Sequence, residues 1–331
     1  MKSDRPPKPP VSETITLAAP PVPLASGDVV AGRYTVVELY GAGPLGFAFR
    51  ATDRDSRSVA VKVLHPTLVP TERERIAALT ELEKLAGKPV RFTALPIDAG
   101  TTGKYAYVVT HWMLGRSLRR VLGAFRDAGL ELPASDVHGV LRGVVDALRE
   151  LHSNYVHGAV YPENIQITAD SRVVLTDAGI VGAIARARWI EQLEYFPDVA
   201  PYVSPELHRG KPMTASSDLW AVGALASELL TGHPASVREG IAPAMLGTWP
   251  RSVAAALADM VAAKVGMRAS ALPVLMSEIA GAVPAKTLPR TGNLPVQRAR
   301  TEVVSAPIDA LNEGTSPGIA LVSRHAPKKK R

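Results

Sequence analysis

Three short segments near the start of the chain combine β-branched, aromatic and other apolar residues in the pattern typical of strands. They are residues 34–39, 47–52 and 59–64. Short connections join them, one from Gly41 to Gly46 and one at Arg54-Asp55. Consecutive strands joined in this way pair antiparallel, because parallel pairing needs a long crossover. The pattern therefore predicts an antiparallel sheet in the first part of the chain.

Apolar residues recur at helical spacing farther along the chain. One helix is predicted over residues 71–85, and a second is predicted to begin at the N-cap Ser135-Asp136. The apolar stripe of the second helix is Val137, Val140, Leu141, Val144, Leu148 and Leu151. A third helix begins near residue 216 and ends at Gly232, a typical C-cap. Between the second and third helices, short apolar runs at residues 165–167 and 173–175 predict a hairpin.

The two ends of the chain lack these patterns. Residues 1–30 are rich in Pro, Ala and Ser, and the chain returns to Pro, Thr and polar residues beyond about residue 283. Such segments cannot bury enough apolar surface to offset the entropy of ordering. We therefore predict a disordered tail over residues 1–30, one folded domain over residues 31–283, and a disordered basic tail over residues 284–331.

Composition excludes several classes of protein. No run of eighteen apolar residues occurs, so we expect no membrane span, and we expect no secretory signal at the polar, Pro-rich N-terminus. The absence of Cys excludes disulfides and thiolate chemistry, which fits the cytoplasmic location that we expect. The net charge of +7 raises the question whether the protein binds nucleic acid. Because the clearest basic cluster is residues 328–331 at the chain end, a solvated tail explains it better.

The residues from Gly41 to Gly46 form a G-x-G-x-x-G sequence, which is a weak signal by itself. A plain structural turn is one interpretation, and a dinucleotide-binding turn is another. The dinucleotide motif leads directly into a helix, whereas a strand follows here. Glycines let the backbone approach phosphate groups and present N–H donors to them. Pro44 interrupts this function because proline has no N–H to donate.

The order and spacing of several motifs resemble those of bacterial eukaryotic-like serine/threonine protein kinases. After the Gly-rich stretch come Val59-Ala60-Val61-Lys62, Pro162-Glu163-Asn164, Asp177-Ala178-Gly179, Ser204-Pro205-Glu206, Asp218-Leu219-Trp220 and Arg268. Each motif is weak alone, but together they span about residues 33–283. The resemblance implies an α+β, bilobal protein-kinase-like fold. Its N-lobe, an antiparallel sheet plus a helix, would cover about residues 31–113, and its mainly helical C-lobe about residues 114–283.

The resemblance also implies a site for ATP and magnesium between the lobes. The nucleotide-contacting residues would be Gly41, Gly43, Gly46, Ala60, Lys62, Thr110, His111 and Met113. Asn164 and Asp177 would be the magnesium ligands. Pro44, and Ala48 in place of a valine over the adenine, oppose this interpretation. The sequence therefore leaves open whether ATP and Mg²⁺ bind.

Two ion pairs are implied by the same resemblance. Lys62 would pair with a glutamate of the next helix, but the expected position falls on Ala78. Glu74 and Glu81 lie one turn to either side, and Glu81 is favoured only if the helix register shifts. In the C-lobe, Glu206 and Arg268 would form a buried structural pair, and Asp218 would begin the central helix.

The residues that would orient the attacking hydroxyl are missing. The segment from His157 to Tyr161 stands where the family has H-R-D-L-K, so Ala159 replaces the proton-accepting aspartate and Tyr161 replaces the lysine. Val199 stands in place of a threonine that, in the family, forms hydrogen bonds with both this aspartate and this lysine. Loss of a general base costs about 10²–10⁴-fold in rate. Residues 180–203 also contain no Ser or Thr that could accept an activating phosphate. This pattern indicates a degenerate family member, a pseudokinase.

Three functions follow as hypotheses. The first is a pseudokinase that acts as a regulatory or scaffolding signalling module, with or without bound ATP. The second is a weakly active or unconventional serine/threonine kinase that positions ATP with Lys62, Asn164 and Asp177. The third is an adaptor acting through tail threonines, which are Thr14, Thr16, Thr287, Thr291 and Thr301. The expected partners are signalling proteins, among them an active kinase or a phosphothreonine-binding module, and we expect no membrane or nucleic acid partner.

Overall fold

The computed structural model describes residues 21–86, 91–184, 186–235 and 249–282. Its N-terminal part contains one sheet and one helix. The strands are β1 (Val29–Val30), β2 (Tyr34–Gly43), β3 (Gly46–Thr52), β4 (Ser58–Leu64), β5 (Asp98–Thr102) and β6 (Tyr105–His111). They are ordered β1-β2-β3-β4-β6-β5, and every neighbouring pair is antiparallel. The antiparallel sheet predicted from the strand pattern is thus confirmed.

Helix α1 (Glu72–Glu83) follows β4 and packs into the protein through Ala78 and Leu82. It begins with a capping box, in which the Thr71 hydroxyl accepts from the Glu74 amide and the Glu74 carboxylate accepts from the Thr71 amide. This reciprocal bonding satisfies amide groups that a helix N-terminus otherwise leaves unpaired. The helix predicted over residues 71–85 is therefore present with slightly shorter bounds.

The C-terminal part is mainly helical. Its elements are β7 (Gly115–Ser117), α2 (Leu118–Asp127), α3 (Ala134–Leu151), β8 (Ile165–Thr168), β9 (Val173–Leu175), α4 (Ile180–Ala183), α5 (Arg186–Gln192), α6 (Pro205–His208), α7 (Ala215–Thr231), α8 (Arg251–Met260) and α9 (Val265–Ala282). Strands β7, β8 and β9 form a small antiparallel sheet. Helix α7 is the centre of this part, because almost every residue from Ser217 to Leu229 is buried. It ends at Gly232 in the left-handed conformation, as predicted.

Two predicted boundaries need correction. Helix α3 begins at Ala134, so Ser135-Asp136 is not its N-cap. Pro133 takes that position, and its carbonyl accepts from the amides of Asp136 and Val137. The sheet also begins before residue 31, because Val30 is fully buried and β1 pairs with β2. Residues 21–30 of the predicted N-terminal tail are thus part of the described structure, whereas residues 1–20 and 284–331 lie outside the described residues.

The α+β bilobal kinase-like fold predicted from the sequence is confirmed by this arrangement. An antiparallel sheet with one helix precedes a mainly helical lobe, and α1 of the first part contacts α4 of the second. Within the described ranges, no helix is both long enough and apolar enough to cross a bilayer.

Candidate functional site

A cleft of about 270 Å³ lies between the sheet lobe and the helical lobe. Strands β2, β3 and β4 supply its upper wall, the end of β6 its back, and β8 with the residues beyond β9 its floor. Nine of the ten residues predicted to contact nucleotide or magnesium line it, namely Gly41, Gly43, Ala60, Lys62, Thr110, His111, Met113, Asn164 and Asp177. Tyr161 lines it as well. The fold thus brings together residues that are up to 136 positions apart.

The three glycines of the Gly-rich stretch differ in what surrounds them. Gly41 and Gly43 line the cleft, and a Cβ at either position would meet no atom within 4 Å. Within the described part of the chain, no neighbouring atom therefore requires glycine at these two positions, and the space beside each is open. Gly46 is different, because its φ is +141° and a Cβ would lie 2.0 Å from the Val63 carbonyl oxygen. Gly46 does not line the cleft, so its prediction as a nucleotide contact is replaced by a structural role in the β3–β4 pairing.

Lys62 extends from β4 into the cleft and pairs with Asp177. Its Nζ lies 2.7 Å from Asp177 Oδ2, and the two side chains are only 14% and 12% exposed. Asp177 adopts a left-handed backbone with φ of +65°, which is uncommon outside glycine but more frequent for Asp and Asn. The backbone at Asp177 is therefore held in a form that turns its carboxylate toward Lys62.

Neither Glu74 nor Glu81 of α1 pairs with Lys62. Glu74 belongs to the capping box and also accepts from Arg188 of α5 at 2.8 Å. Glu81 pairs with Lys84 at 2.6 Å on the exposed side of the helix. Ala78 is buried at the position where the glutamate was expected. The helix keeps the register that places Ala78 inward, so the shift on which the preference for Glu81 depended does not occur.

Asn164 lies next to Asp177 through backbone hydrogen bonds. The amide and the hydroxyl of Thr176 both donate to the Asn164 carbonyl oxygen, at 2.9 and 3.2 Å. The Asn164 side-chain NH₂ donates to the Ala159 carbonyl oxygen at 3.1 Å. This bond leaves the amide oxygen and the Asp177 carboxylate as two hard oxygen donors, the type that Mg²⁺ takes. Among the residues that the structure describes, no cluster of three or more His, Cys, Asp or Glu could hold a metal.

The loop before Asn164 is held by Asp218 at the start of α7. The Asp218 carboxylate accepts from the amides of His157 and Gly158 at 2.9 and 2.8 Å, and it contacts His152 Nε2 at 2.8 Å. The buried His157 ring in turn accepts from the Ala159 amide at 3.2 Å. Burial lowers the pKa of His157, so the ring is neutral at neutral pH. Asp218 and His157 therefore hold the backbone of this loop in place on both sides of residue 158 and up to Ala159.

The three positions predicted to have lost their function are all buried. Ala159, Tyr161 and Val199 are 1%, 2% and 3% exposed. Ala159 and Tyr161 line a cavity of about 10 Å³ together with Trp189 and Tyr202. Burial raises the pKa of Tyr161, and the nearby carboxylates of Asp177 and Glu163 raise it further. Ala159 thus places a methyl group in a cavity that Trp189 and Tyr202 also line. Tyr161 is a neutral phenol at neutral pH.

Arg119 of α2 forms an ion-pair network at the lower edge of the cleft that sequence reasoning missed. Its Nε donates to Glu163 at 2.8 Å, its Nη1 donates to Glu228 at 2.5 Å, and Tyr202 also donates to Glu228. Burial alone would lower the pKa of Arg119, but Glu163 and Glu228 outweigh it and raise the pKa. Arg119 and Glu228 are 109 positions apart in the sequence, and their opposite charges were the only signal that they pair. Local sequence patterns do not connect residues at such a distance.

The predicted pairing of Glu206 with Arg268 is present. Arg268 is fully buried and donates to both carboxylate oxygens, at 2.6 and 2.9 Å. Burial tends to raise the pKa of Glu206, but the hydrogen bonds and charge of Arg268 lower it overall. This ion pair fastens α6 to α9 below the cleft.

Comparisons with known proteins agree with this geometry. Residues 34–245 match the family model described as the protein kinase domain. The chain is 33% identical over 215 residues to a probable serine/threonine-protein kinase PknB of Corynebacterium glutamicum, covering 62% of this chain and 32% of that protein. It is 34% identical over 203 residues to the serine/threonine-protein kinase PknL of Mycobacterium tuberculosis, covering 61% and 50%. The chain thus spans about a third of the length of the first of these relatives and half of the length of the second.

Solved structures show the same fold. The crystal structure of the Mycobacterium tuberculosis PknI kinase domain superposes with a TM-score of 0.62 at 22% identity. The match covers 78% of this chain and 99% of that one. At this identity the likeness concerns the fold alone.

Proposed function

This chain belongs to the protein kinase domain family, and we propose that it is a pseudokinase: a regulatory or scaffolding signalling module that keeps the nucleotide cleft without transferring phosphate. Kinases position ATP with a Gly-rich loop, a lysine and metal-binding residues, and they orient the substrate hydroxyl with a separate aspartate. The first set of groups is largely present in this chain. The second set is absent.

The observation that carries the proposal is the environment of Ala159. The position that would hold the hydroxyl-orienting carboxylate carries a methyl group that is 1% exposed. Trp189 and Tyr202 of the following segment lie against the same small cavity, and Tyr161 fills the place of the lysine. An incoming hydroxyl would find neither a proton acceptor nor an open path at this point. The loss therefore concerns access as well as chemistry.

The cleft itself supports binding of a nucleotide. Gly41 and Gly43 leave open space for phosphate groups near their backbone, and Lys62 supplies a positive charge. Asn164 and Asp177 would hold Mg²⁺, which neutralises phosphate charge when it is bound. Lys62 and Asp177 already stabilise each other, so binding would exchange this pair for contacts with phosphate and metal. Lobe closure around the nucleotide would then present a surface to a signalling partner.

The second candidate is a weakly active kinase. The observation that favours it is the retained set of Lys62, Asn164 and Asp177, all of which line the cleft. The hypothesis of a phosphothreonine-tail adaptor rests on Thr14, Thr16, Thr287, Thr291 and Thr301, which lie outside the described residues. An active kinase or a phosphothreonine-binding module remains a proposed partner.

The experiment that tests the proposal combines binding and turnover on the full chain. Thermal unfolding would be followed with ATP alone and with ATP plus magnesium, beside Asp177→Asn, which keeps a residue that tolerates the left-handed backbone. Ligand at a hundred times its dissociation constant stabilises by about 2.7 kcal/mol. We expect a magnesium-dependent shift that the variant loses, and no transfer of labelled phosphate. Transfer that depends on Lys62 would replace the proposal with the second candidate.

A further inference from the structure

Tyr40 connects the two lobes at the mouth of the cleft. It lies in β2 immediately before Gly41, and its hydroxyl donates to Gln166 Oε1 of β8 at 3.3 Å. Arg120 of α2 donates to the Tyr40 carbonyl oxygen at 2.8 Å, and its guanidinium lies 4.4 Å from the centre of the Tyr40 ring. The ring also meets Trp112 edge to face, with centroids 5.0 Å apart. One residue of the sheet lobe is thus held by three side chains that line the cleft, those of Trp112, Arg120 and Gln166.

The contact between Tyr40 and Gln166 spans the cleft. Both residues line it, Tyr40 from the upper wall and Gln166 from the floor. A planar aromatic base needs roughly 3.5 Å to the atoms on each of its faces, and therefore about 7 Å between the two walls. The hydroxyl and the amide oxygen are 3.3 Å apart. No base fits between Tyr40 and Gln166 while this bond is made.

Gln166 strengthens the contact because it is a buried polar residue. It is 6% exposed, although it lies between two buried isoleucines in β8. Its Nε2 reaches the Glu163 carbonyl oxygen only at 3.5 Å, a long distance for a hydrogen bond. A buried amide group that loses a hydrogen-bond partner without gaining another destabilises the protein. Opening the contact is therefore favoured when a ligand group replaces Tyr40 as the partner of Gln166.

We propose that Tyr40 and Gln166 form a latch that controls entry of a nucleotide and selects among ligands of this cleft. A ligand with a planar base enters only after the Tyr40 side chain has left Gln166, and the base then occupies the space between them. The latch lowers both the association rate and the affinity for nucleotides. This inference rests on the proposed nucleotide site, and it identifies Tyr40 as a residue that sets the selectivity of that site.

The test follows association of the fluorescent probe mant-ATP with the full chain by stopped flow, with and without magnesium. Tyr40→Leu removes the ring and the hydroxyl, whereas Tyr40→Phe removes only the hydroxyl. We expect association about tenfold faster in the first and about fivefold faster in the second, the latter corresponding to one hydrogen bond. Gln166→Leu should match Tyr40→Phe, and combining the two should add nothing, because both remove the same bond.

Tyr195→Leu is the matched control, because Tyr195 is 45% exposed and does not line the cleft. Binding by the Tyr40 variants but not by the native chain would support the latch most directly. Equal association rates for the native chain and both Tyr40 variants would overturn the latch and leave the nucleotide site standing. Absence of mant-ATP binding in every variant would remove the latch and the nucleotide site together.

Discussion

The ammonium group of Lys62 lies 2.7 Å from the carboxylate of Asp177, 115 positions away, at the point where a nucleotide's phosphates would enter the cleft. The two charged groups that would face phosphate and metal stabilise each other. This pairing explains how Lys62 is tolerated when α1 presents Ala78 in place of a glutamate. A largely buried ammonium group without a partner would be costly.

The Lys62–Asp177 pair leads to a first prediction about stability. We expect Lys62→Met to lower the free energy of unfolding by about 2 kcal/mol, because it leaves a mostly buried carboxylate without its partner. Asp177→Asn should cost a similar amount, and the double variant should cost less than the sum. Urea unfolding of the four proteins measures these values. Strictly additive losses would show that the two groups do not interact in solution.

The buried pair of Arg268 and Glu206 gives a second prediction. Arg268→Ala removes both hydrogen bonds to Glu206 and the stacking of the guanidinium 5.2 Å from the Trp220 ring. We expect a loss of about 3–5 kcal/mol, as for other buried ion pairs broken at one partner. Arg142→Ala is the control, because its pair with Asp146 is largely exposed and should contribute less than about 1 kcal/mol. Equal losses in denaturant titrations would contradict the structural role of Arg268.

A third prediction concerns pH and His65. Burial lowers the pKa of His65 below 6.5, and the charge of Lys62 lowers it further, although the bond to the Gly43 carbonyl oxygen opposes this. Because the folded pKa is below the unfolded one, the unfolded chain binds more protons at acidic pH. Stability should therefore fall as the pH is lowered from about 6.5 to 5. His65→Gln keeps an N–H donor without this titration, so its melting temperature should fall less over the same range.

Two other titrating groups, His157 and Glu206, also contribute to the pH dependence of stability. The pKa of His157 is also lowered by burial, so part of the acid dependence will remain in the His65 variant. Glu206 contributes in a lower window, because its pKa is lowered from 4.5 and its contribution is lost only as the pH falls below that value. An unchanged slope between pH 6.5 and 5 in His65→Gln would show that the pKa of His65 is the same in the folded and unfolded states.

The sequence predicted what depends on local pattern. Strand alternation gave β2 to β4, helical spacing gave α1 and α7, and motif order placed Lys62, Asn164 and Asp177 around one cleft. It could not predict side-chain pairs between distant segments. Tyr40 and Gln166 are 126 positions apart, and Arg119 and Glu228 are 109 apart. The first pair depends on how the two lobes pack and the second on how α2 packs against α7, and no local periodicity encodes either.

The start of α3 shows a second limit on prediction from sequence, which concerns helix boundaries. Ser135 and Asp136 are residue types that favour N-caps, and the local preference pointed to them. Pro133 was available two positions earlier, with a fixed φ and a carbonyl able to accept the first helical bonds. The helix gains an extra half turn by starting there. Local propensity placed the helix correctly and missed its first residue.

The last prediction concerns Ala159 and Tyr161, which stand where the kinase family has an aspartate and a lysine, and it tests the proposed pseudokinase function. Restoring both in Ala159→Asp/Tyr161→Lys should not produce phosphate transfer, because Trp189 and Tyr202 lie against the cavity that Ala159 lines. Transfer of labelled phosphate to a generic basic protein substrate measures this, with Asp177→Asn in the same background as the blank. A transfer signal that the blank lacks would show that the aromatic residues do not block access and that two substitutions suffice for activity.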